Sequence, residues 1–136
     1  MIVALDSEAF NALAGSDSIT KQRVRRILRT AERLGRDVAV PSLVLAELYR
    51  GRGRNQLVDA CLAREDASLS TRDTDRDFAR IVGAVLADSQ AGSEMIVDAH
   101  VVALALEAGG GVVVTGDPDD LTRLAAGYRN VIVEAV

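Results

Sequence analysis

Cysteine occurs once, as Cys61, and histidine once, as His100, in a chain of 136 residues. A lone cysteine rules out an intrachain disulfide and a cysteine-based zinc site. A lone histidine removes histidine-rich metal centres and most Ser–His or Cys–His catalysis, so the protein ligands of any bound metal would be mainly oxygens. Tryptophan is absent and there are only two tyrosines and two phenylalanines, which leaves the core to Val, Leu, Ile and Ala. Also missing is an apolar run of the roughly 18–20 residues a membrane span needs. The opening segment MIVALDSEAF has no basic stretch ahead of its short apolar run. It reads as a strand rather than a signal peptide, and a cytoplasmic protein is the expectation. Cys61, in the row Leu57-Val58-Ala60-Cys61-Leu62, reads as a small buried hydrophobe.

The length suits one domain, 1–136, large enough to bury a core. Net charge is −4, so this is not a wholesale basic nucleic-acid binder. The charges are nevertheless segregated. Between Lys21 and Arg54 there are ten basic residues against Glu32, Asp37 and Glu47, and from Glu65 to Asp120 the balance reverses. Such asymmetry fits an acidic pocket beside a basic rim, and equally a set of solvated helix faces.

Apolar runs at Met1–Leu5, Val38–Val40, Ala67–Ser70, Val112–Thr115 and Val131–Val133 read as strands. Helices are expected between them. One runs over Glu8–Ala14, and another is capped by Asp17 or Ser18 and runs to Leu34, with Ile19, Val24, Ile27, Leu28, Ala31 and Leu34 on its apolar stripe. The others span Ser42–Tyr49, Gln56–Ala63, Asp75–Ala87, Glu94–Ala108 and Pro118–Ala126, with Gly51-Arg52-Gly53-Arg54 as a flexible break. Alternation of this kind predicts an α/β three-layer sandwich, a mostly parallel sheet of about five strands with helices on both faces. Ligands of such sheets bind outside the carboxyl ends of the strands, where the strand order reverses. Asp6 and Asp117 fall at that edge.

Glu47 and Asp98 lie in helices that are apolar almost all round, Leu43–Leu48 and Met95–Val102. An ionised carboxylate in such a helix is expensive unless an arginine, helix amides or a metal pairs with it. Asp117-Pro118-Asp119-Asp120 also fits a helix start, with an Asp cap and Pro at the first position, and Asp6-Ser7 can cap the helix that follows. A cap carboxylate can still face a cleft. Carboxylates without histidine suit Mg²⁺ or Mn²⁺, and the associated chemistry is phosphoryl transfer to water.

Four segments occur in the order found in the PIN-domain nucleases, especially the VapC-like toxins of toxin–antitoxin pairs, which the chain resembles. They are Met1–Ser7, Pro41–Leu48, Val97–Ala105 and Val112–Leu121. The resemblance implies an acidic pocket of Asp6, Glu47, Asp98 and Asp117, with Asp6 and Asp98 the most direct Mg²⁺ or Mn²⁺ ligands and Ser7 and Thr115 as orienting hydroxyls. Asp119 and Asp120 compete with Asp117 for the fourth place. It further implies endonucleolytic cleavage of RNA, a homodimer, and inhibition by a cognate antitoxin that inserts an arginine among the four acids. Arg50, Arg52 and Arg54, and less directly Arg25 and Arg29, are candidates to hold the RNA backbone. Tyr49, Tyr128, Phe10 and Phe78 are the available stacking groups. Three other readings compete: a PIN nuclease of RNA processing with no toxin role, a non-catalytic binding module of the same fold, and a haloacid-dehalogenase-like phosphatase. The last would need Glu8 as the second acid of its D-x-D motif and Lys21, the only lysine, as its catalytic lysine.

Overall fold

Five short segments pair into one sheet in the computed structural model, which describes residues 1–136. They are β1 (Ile2–Leu5), β2 (Val38–Pro41), β3 (Leu69–Arg72), β4 (Gly111–Thr115) and β5 (Val131–Ala135). Their order is β3-β2-β1-β4-β5, and every neighbouring pair is parallel. Parallel strands covered on both faces need apolar side chains on both, which is why β1 and β2 are near-continuous Val, Ala and Leu. The connecting helices are α1 (Ser7–Ala14), α2 (Ile19–Arg33), α3 (Ser42–Leu48), α4 (Arg52–Arg64), α5 (Arg76–Asp88), α6 (Ile96–Glu107) and α7 (Pro118–Ala125). One turn of 3-10 helix, Ser93–Met95, leads into α6. None of these helices is long and apolar enough to cross a membrane.

The chain runs outward from β1 to β2 and β3, then returns to the other side of β1 with β4 and β5. The strand order therefore reverses between β1 and β4. Helix α2 lies over the face that carries Val3 and Val112, and α6 lies over the opposite face, which carries Gly111. Ala99 to Ala105 of α6 are all buried, as expected of a helix without a polar face.

His100 is buried within that run, and its ring is fully used. Its Nδ1 donates to the Ile96 carbonyl (2.7 Å), which leaves Nε2 to accept from the Thr74 hydroxyl (3.0 Å). The ring meets Phe78 edge-on at 5.6 Å. Arg72 closes the same corner, bonding Glu107 at 2.8 Å and Asp75 at 3.2 Å while its guanidinium stacks over Phe78. Cys61 is buried, as read from its apolar row.

Several local expectations are corrected. Gly51-Arg52-Gly53-Arg54 is not a flexible break, because Gly51 alone turns the chain with a positive φ of 111° and α4 begins at Arg52. Ile19 and Leu34 leave the α2 stripe for solvent, being its first residue and its C-cap, beyond the sheet that buries Val24, Leu28 and Ala31. The third strand is displaced to Leu69–Arg72, while Pro41 both closes β2 and is the N-cap of α3. Phe10 and Phe78 are fully buried and offer no base-stacking surface.

Two glycines give opposite expectations. A methyl at Gly111 would run into the Ile2 carbonyl oxygen on the paired strand and press within 3.3 Å of Ala105. Gly111→Ala should therefore destabilise the fold by about 1–3 kcal/mol. At Gly83, in the exposed middle of α5, a methyl meets nothing within 4 Å. Gly83→Ala should stabilise by about 0.5–1 kcal/mol through helix propensity. Urea melts of the two variants check both signs.

Candidate active site: an acidic pocket at the strand ends

The reversal between β1 and β4 opens a crevice where both strands end, and the sequence places an acid after each. Asp6 is the N-cap of α1, accepting from the Ala9 amide at 2.8 Å. Asp117 is the N-cap of α7, accepting from the Asp119 amide at 3.5 Å, with Pro118 beginning the helix. Asp98 lies in the first turn of α6. Glu47 comes from α3 and accepts from the Ser7 hydroxyl at 2.6 Å. All four line one cavity of about 180 Å³, together with Ser7, Glu8, Glu94, Val97 and Asp120. Seven of the nine lining residues are carboxylates and none is basic.

Their burial differs from the sequence-based expectation. Glu47 was expected in a largely buried helix, yet it is exposed, because α3 has only seven residues and buries just Val44, Leu45 and Leu48. The buried acid is Asp6, 5% exposed at the end of β1. Asp98 is half-buried and Asp117 exposed. Capping and lining coexist at Asp6 and Asp117. Of the competitors for the fourth place, Asp120 joins Asp117 in the pocket and Asp119 does not. Sequence reasoning weighed Glu8 only as the second acid of the D-x-D motif and passed over Glu94. Glu8 was visible two residues beyond Asp6, but Glu94 depends on the 3-10 turn before α6, which has no clear sequence signal. Lys21 donates to the Gly15 carbonyl at 2.6 Å and is not in the pocket, so the phosphatase reading loses its catalytic lysine.

The Thr115 hydroxyl ties down the loop after β4, donating to the Asp117 carbonyl at 3.0 Å and accepting from the Asp117 amide at 2.9 Å. Burial pushes the Asp6 carboxyl up to about 6, although the Ala9 amide and the Thr115 hydroxyl pull the other way. Asp98 is also pushed up to about 6, first by burial and then by the charges of Asp6, Asp120, Glu47 and Asp117. At Asp6 the neighbouring charge that adds to the rise is that of Glu8. The chain's three ion pairs, Arg64–Glu65, Arg72–Asp75 and Arg72–Glu107, all lie outside the pocket.

An all-oxygen donor set suits a hard divalent cation. The side chains do not converge into a finished cage, since no three of them close on one ion-sized point. Like charges without a cation among them repel, and a bound ion would have to draw them together.

From residue 3 to residue 127 the sequence matches the family model described as PIN domain. No curated protein matches the chain. Among solved structures, one similar chain belongs to VapBC2 from Rickettsia felis bound to a DNA fragment from its promoter. It is 17% identical with a TM-score of 0.65, over 100% of this chain and 99% of that one. Another belongs to a toxin–antitoxin complex from Klebsiella pneumoniae, 15% identical with a TM-score of 0.65, over 98% and 99% of the two chains. At these identities the likeness is one of fold.

The raised carboxyls set a pH dependence. The folded state holds protons on Asp6 and Asp98 up to about 6, whereas the unfolded chain releases them near 3.8. The resulting stability is fully present below the unfolded value and is lost as pH rises through about 6. In EDTA, Asp98→Asn should therefore melt above the wild type at pH 8, with the advantage gone by pH 4. Added Mg²⁺ should raise the wild-type Tm more than that of the variant. A variant that melts lower at pH 8 would mean that the ionised Asp98 has a stabilising partner.

Proposed function

From the premise that this chain belongs to the PIN domain family, we propose that it is an endoribonuclease dependent on Mg²⁺ or Mn²⁺ and the toxin of a toxin–antitoxin pair. The observation that carries this reading is the pair of desolvated acids, Asp6 and Asp98, in a pocket without a basic residue. Such a pocket repels a phosphodiester until a cation enters, so the substrate's charge and the site's charge require the same ion. Asp6 and Asp98 would hold it, with Asp117 and Glu47 completing the set. When bound, the ion would polarise the phosphate and supply hydroxide near neutral pH.

The chain's own residues fix the geometry around that chemistry. The Ala9 amide pins one Asp6 oxygen, so only the other is free to turn into the pocket. Ser7 holds Glu47 by Oε1 and leaves Oε2 to take a proton from an attacking water. Thr115 keeps the Asp117 backbone against the end of β4. Val97 is the one apolar wall of the cavity.

The antitoxin is the partner this reading brings with it, in keeping with the toxin–antitoxin complexes among the fold's neighbours. An arginine from its tail suits the pocket, because the planar guanidinium can bind carboxylates in a bidentate way and take the place of the cation. A homodimer and a cytoplasmic location complete the proposal.

Purified protein should cut single-stranded RNA with Mg²⁺ or Mn²⁺ and stop with EDTA. Asp98→Asn should lower the rate on the order of 10²-fold or more, the size of single electrostatic catalytic terms. Asp119→Asn, outside the pocket, should cleave as the wild type does. Undiminished cleavage by Asp98→Asn would sink the site assignment.

A further inference from the structure

A second cavity, of about 340 Å³ against about 180 Å³ for the acidic pocket, shares no residue with it. It lies between the later turns of α2, the end of α4 and the turn that enters β3, lined by Arg25, Leu28, Arg29, Glu32, Arg64 and Ser68, with Glu65 beside Arg64. Those segments lead into the starts of β2 and β3. The cleft therefore sits at the sheet edge opposite the acids, one strand length away, about 13–17 Å at the usual rise.

Three arginines line the cleft against Glu32 and Glu65. Arg25 and Arg29 stand one helical turn apart, and neither is in an ion pair. Arg64 is held in place, donating to the Leu13 carbonyl at 3.3 Å and to Glu65 at 3.4 Å. Burial pushes the Cys61 thiol up, and the charges that bear on it are those of Arg64, Glu65, Lys21 and Arg25. Of the arginines that seemed better placed from sequence, Arg52 is exposed and makes no hydrogen bond or ion pair, and the other two already have partners. Arg50 donates to the Ala46 and Tyr49 carbonyls at 2.8 and 2.9 Å, and Arg54 donates to the Asn11 side chain at 2.6 Å.

We propose that the Arg25–Arg29–Arg64 cleft is a remote backbone site for the single-stranded RNA, gripping phosphates several nucleotides from the bond that is cut. The inference rests on the nuclease reading for the identity of its ligand. Guanidinium forks match phosphate oxygens, and the Ser68 hydroxyl adds a donor. No aromatic side chain lines the cleft, so the grip is on the backbone and indifferent to sequence. An RNA strand carries one charge per nucleotide, separated by neutral sugar, and can pass Glu32 and Glu65. A peptide dense in carboxylates would meet both. The site also answers a need created by the acids, because seven carboxylates give a polyanion nothing to hold. Its anchor must lie elsewhere on the surface.

The test is binding of a labelled single-stranded RNA 12-mer in EDTA, across a salt series, by full-length protein. Arg25→Gln/Arg29→Gln should weaken binding on the order of tenfold near 0.1 M salt. It should also reduce the slope of log K against log salt by about 1.4, two single-strand phosphate contacts. The charge-matched control is Arg23→Gln/Arg33→Gln, exposed arginines of the same helix outside the cleft, which should leave the slope near the wild type. Equal losses from both pairs would mean diffuse charge, and no loss from either would mean an idle cleft. Either result overturns the proposal. So does a poly-glutamate of equal length that binds as tightly as the RNA and loses affinity in the first variant, since the partner would then be an acidic protein. Cleft-dependent RNA binding by a protein that cuts no RNA with Mg²⁺ or Mn²⁺ would support the cleft and remove the nuclease reading.

Discussion

Desolvation of the carboxylates at the β1–β4 reversal is the constraint around which the rest of the site is arranged. Asp6 is almost fully buried, and holding its charge there costs on the order of 3 kcal/mol relative to water, taking about 6 against 3.8 for its carboxyl. The fold directs three helix N-termini to the same place: α1 behind Asp6, α6 behind Asp98 and α7 behind Asp117. Each supplies amides and a positive dipole end, typically about 0.3–1 kcal/mol for a nearby carboxylate. The amide bonds to Asp6 are already included in its value of about 6, so the raised carboxyl records what they leave uncompensated. The remainder is available to a cation as binding free energy.

The same architecture explains why an acidic chain can be read as handling RNA. A parallel sheet has two chemically distinct edges. Strand ends meet helix starts at one edge, and helix ends meet strand starts at the other. Acids favour the first through capping and dipoles, and cations favour the second. The acidic pocket and the Arg25–Arg29–Arg64 cleft lie at opposite edges, and net charge averages over that separation. At an ionic strength near 0.15 M the screening length is about 8 Å, shorter than the strand that separates the edges. Each edge therefore presents its own sign to a ligand.

Much of this was legible in the sequence, for identifiable reasons. Strands buried on both faces must be apolar throughout, so β1, β2 and β4 stand out. Caps are local chemistry, so Ser18, Asp75 and Asp117 mark helix starts without reference to the rest of the fold. What failed depended on the surroundings. Ile19 and Leu34 keep helical spacing with Val24 and Leu28 but overhang the sheet. Gly53 resembles a breaker beside Gly51, yet only Gly51 takes a positive φ. Arg50 and Arg54 look free in a Gly-Arg run, but the backbone bends so that carbonyls and Asn11 claim them.

The reversal of burial between Asp6 and Glu47 follows from the same distinction. Apolar neighbours along a chain indicate that an element is buried, but they do not say which of its residues faces inward. α3 is a two-turn helix whose apolar residues Val44, Leu45 and Leu48 occupy one side, so Glu47 is left on the other. Asp6 follows a central strand, and a residue there is covered by helices above and below whatever its own character. Position in the topology therefore predicts the buried charge better than local hydrophobicity does. Asp6, directly after a central strand and beside the point where strand order reverses, is desolvated by the fold itself, whereas Asp117, two residues beyond β4, reaches solvent. An acid in an apolar helix is desolvated only if the helix is long enough to be covered all round, as α6 is for Asp98 and α3 is not for Glu47.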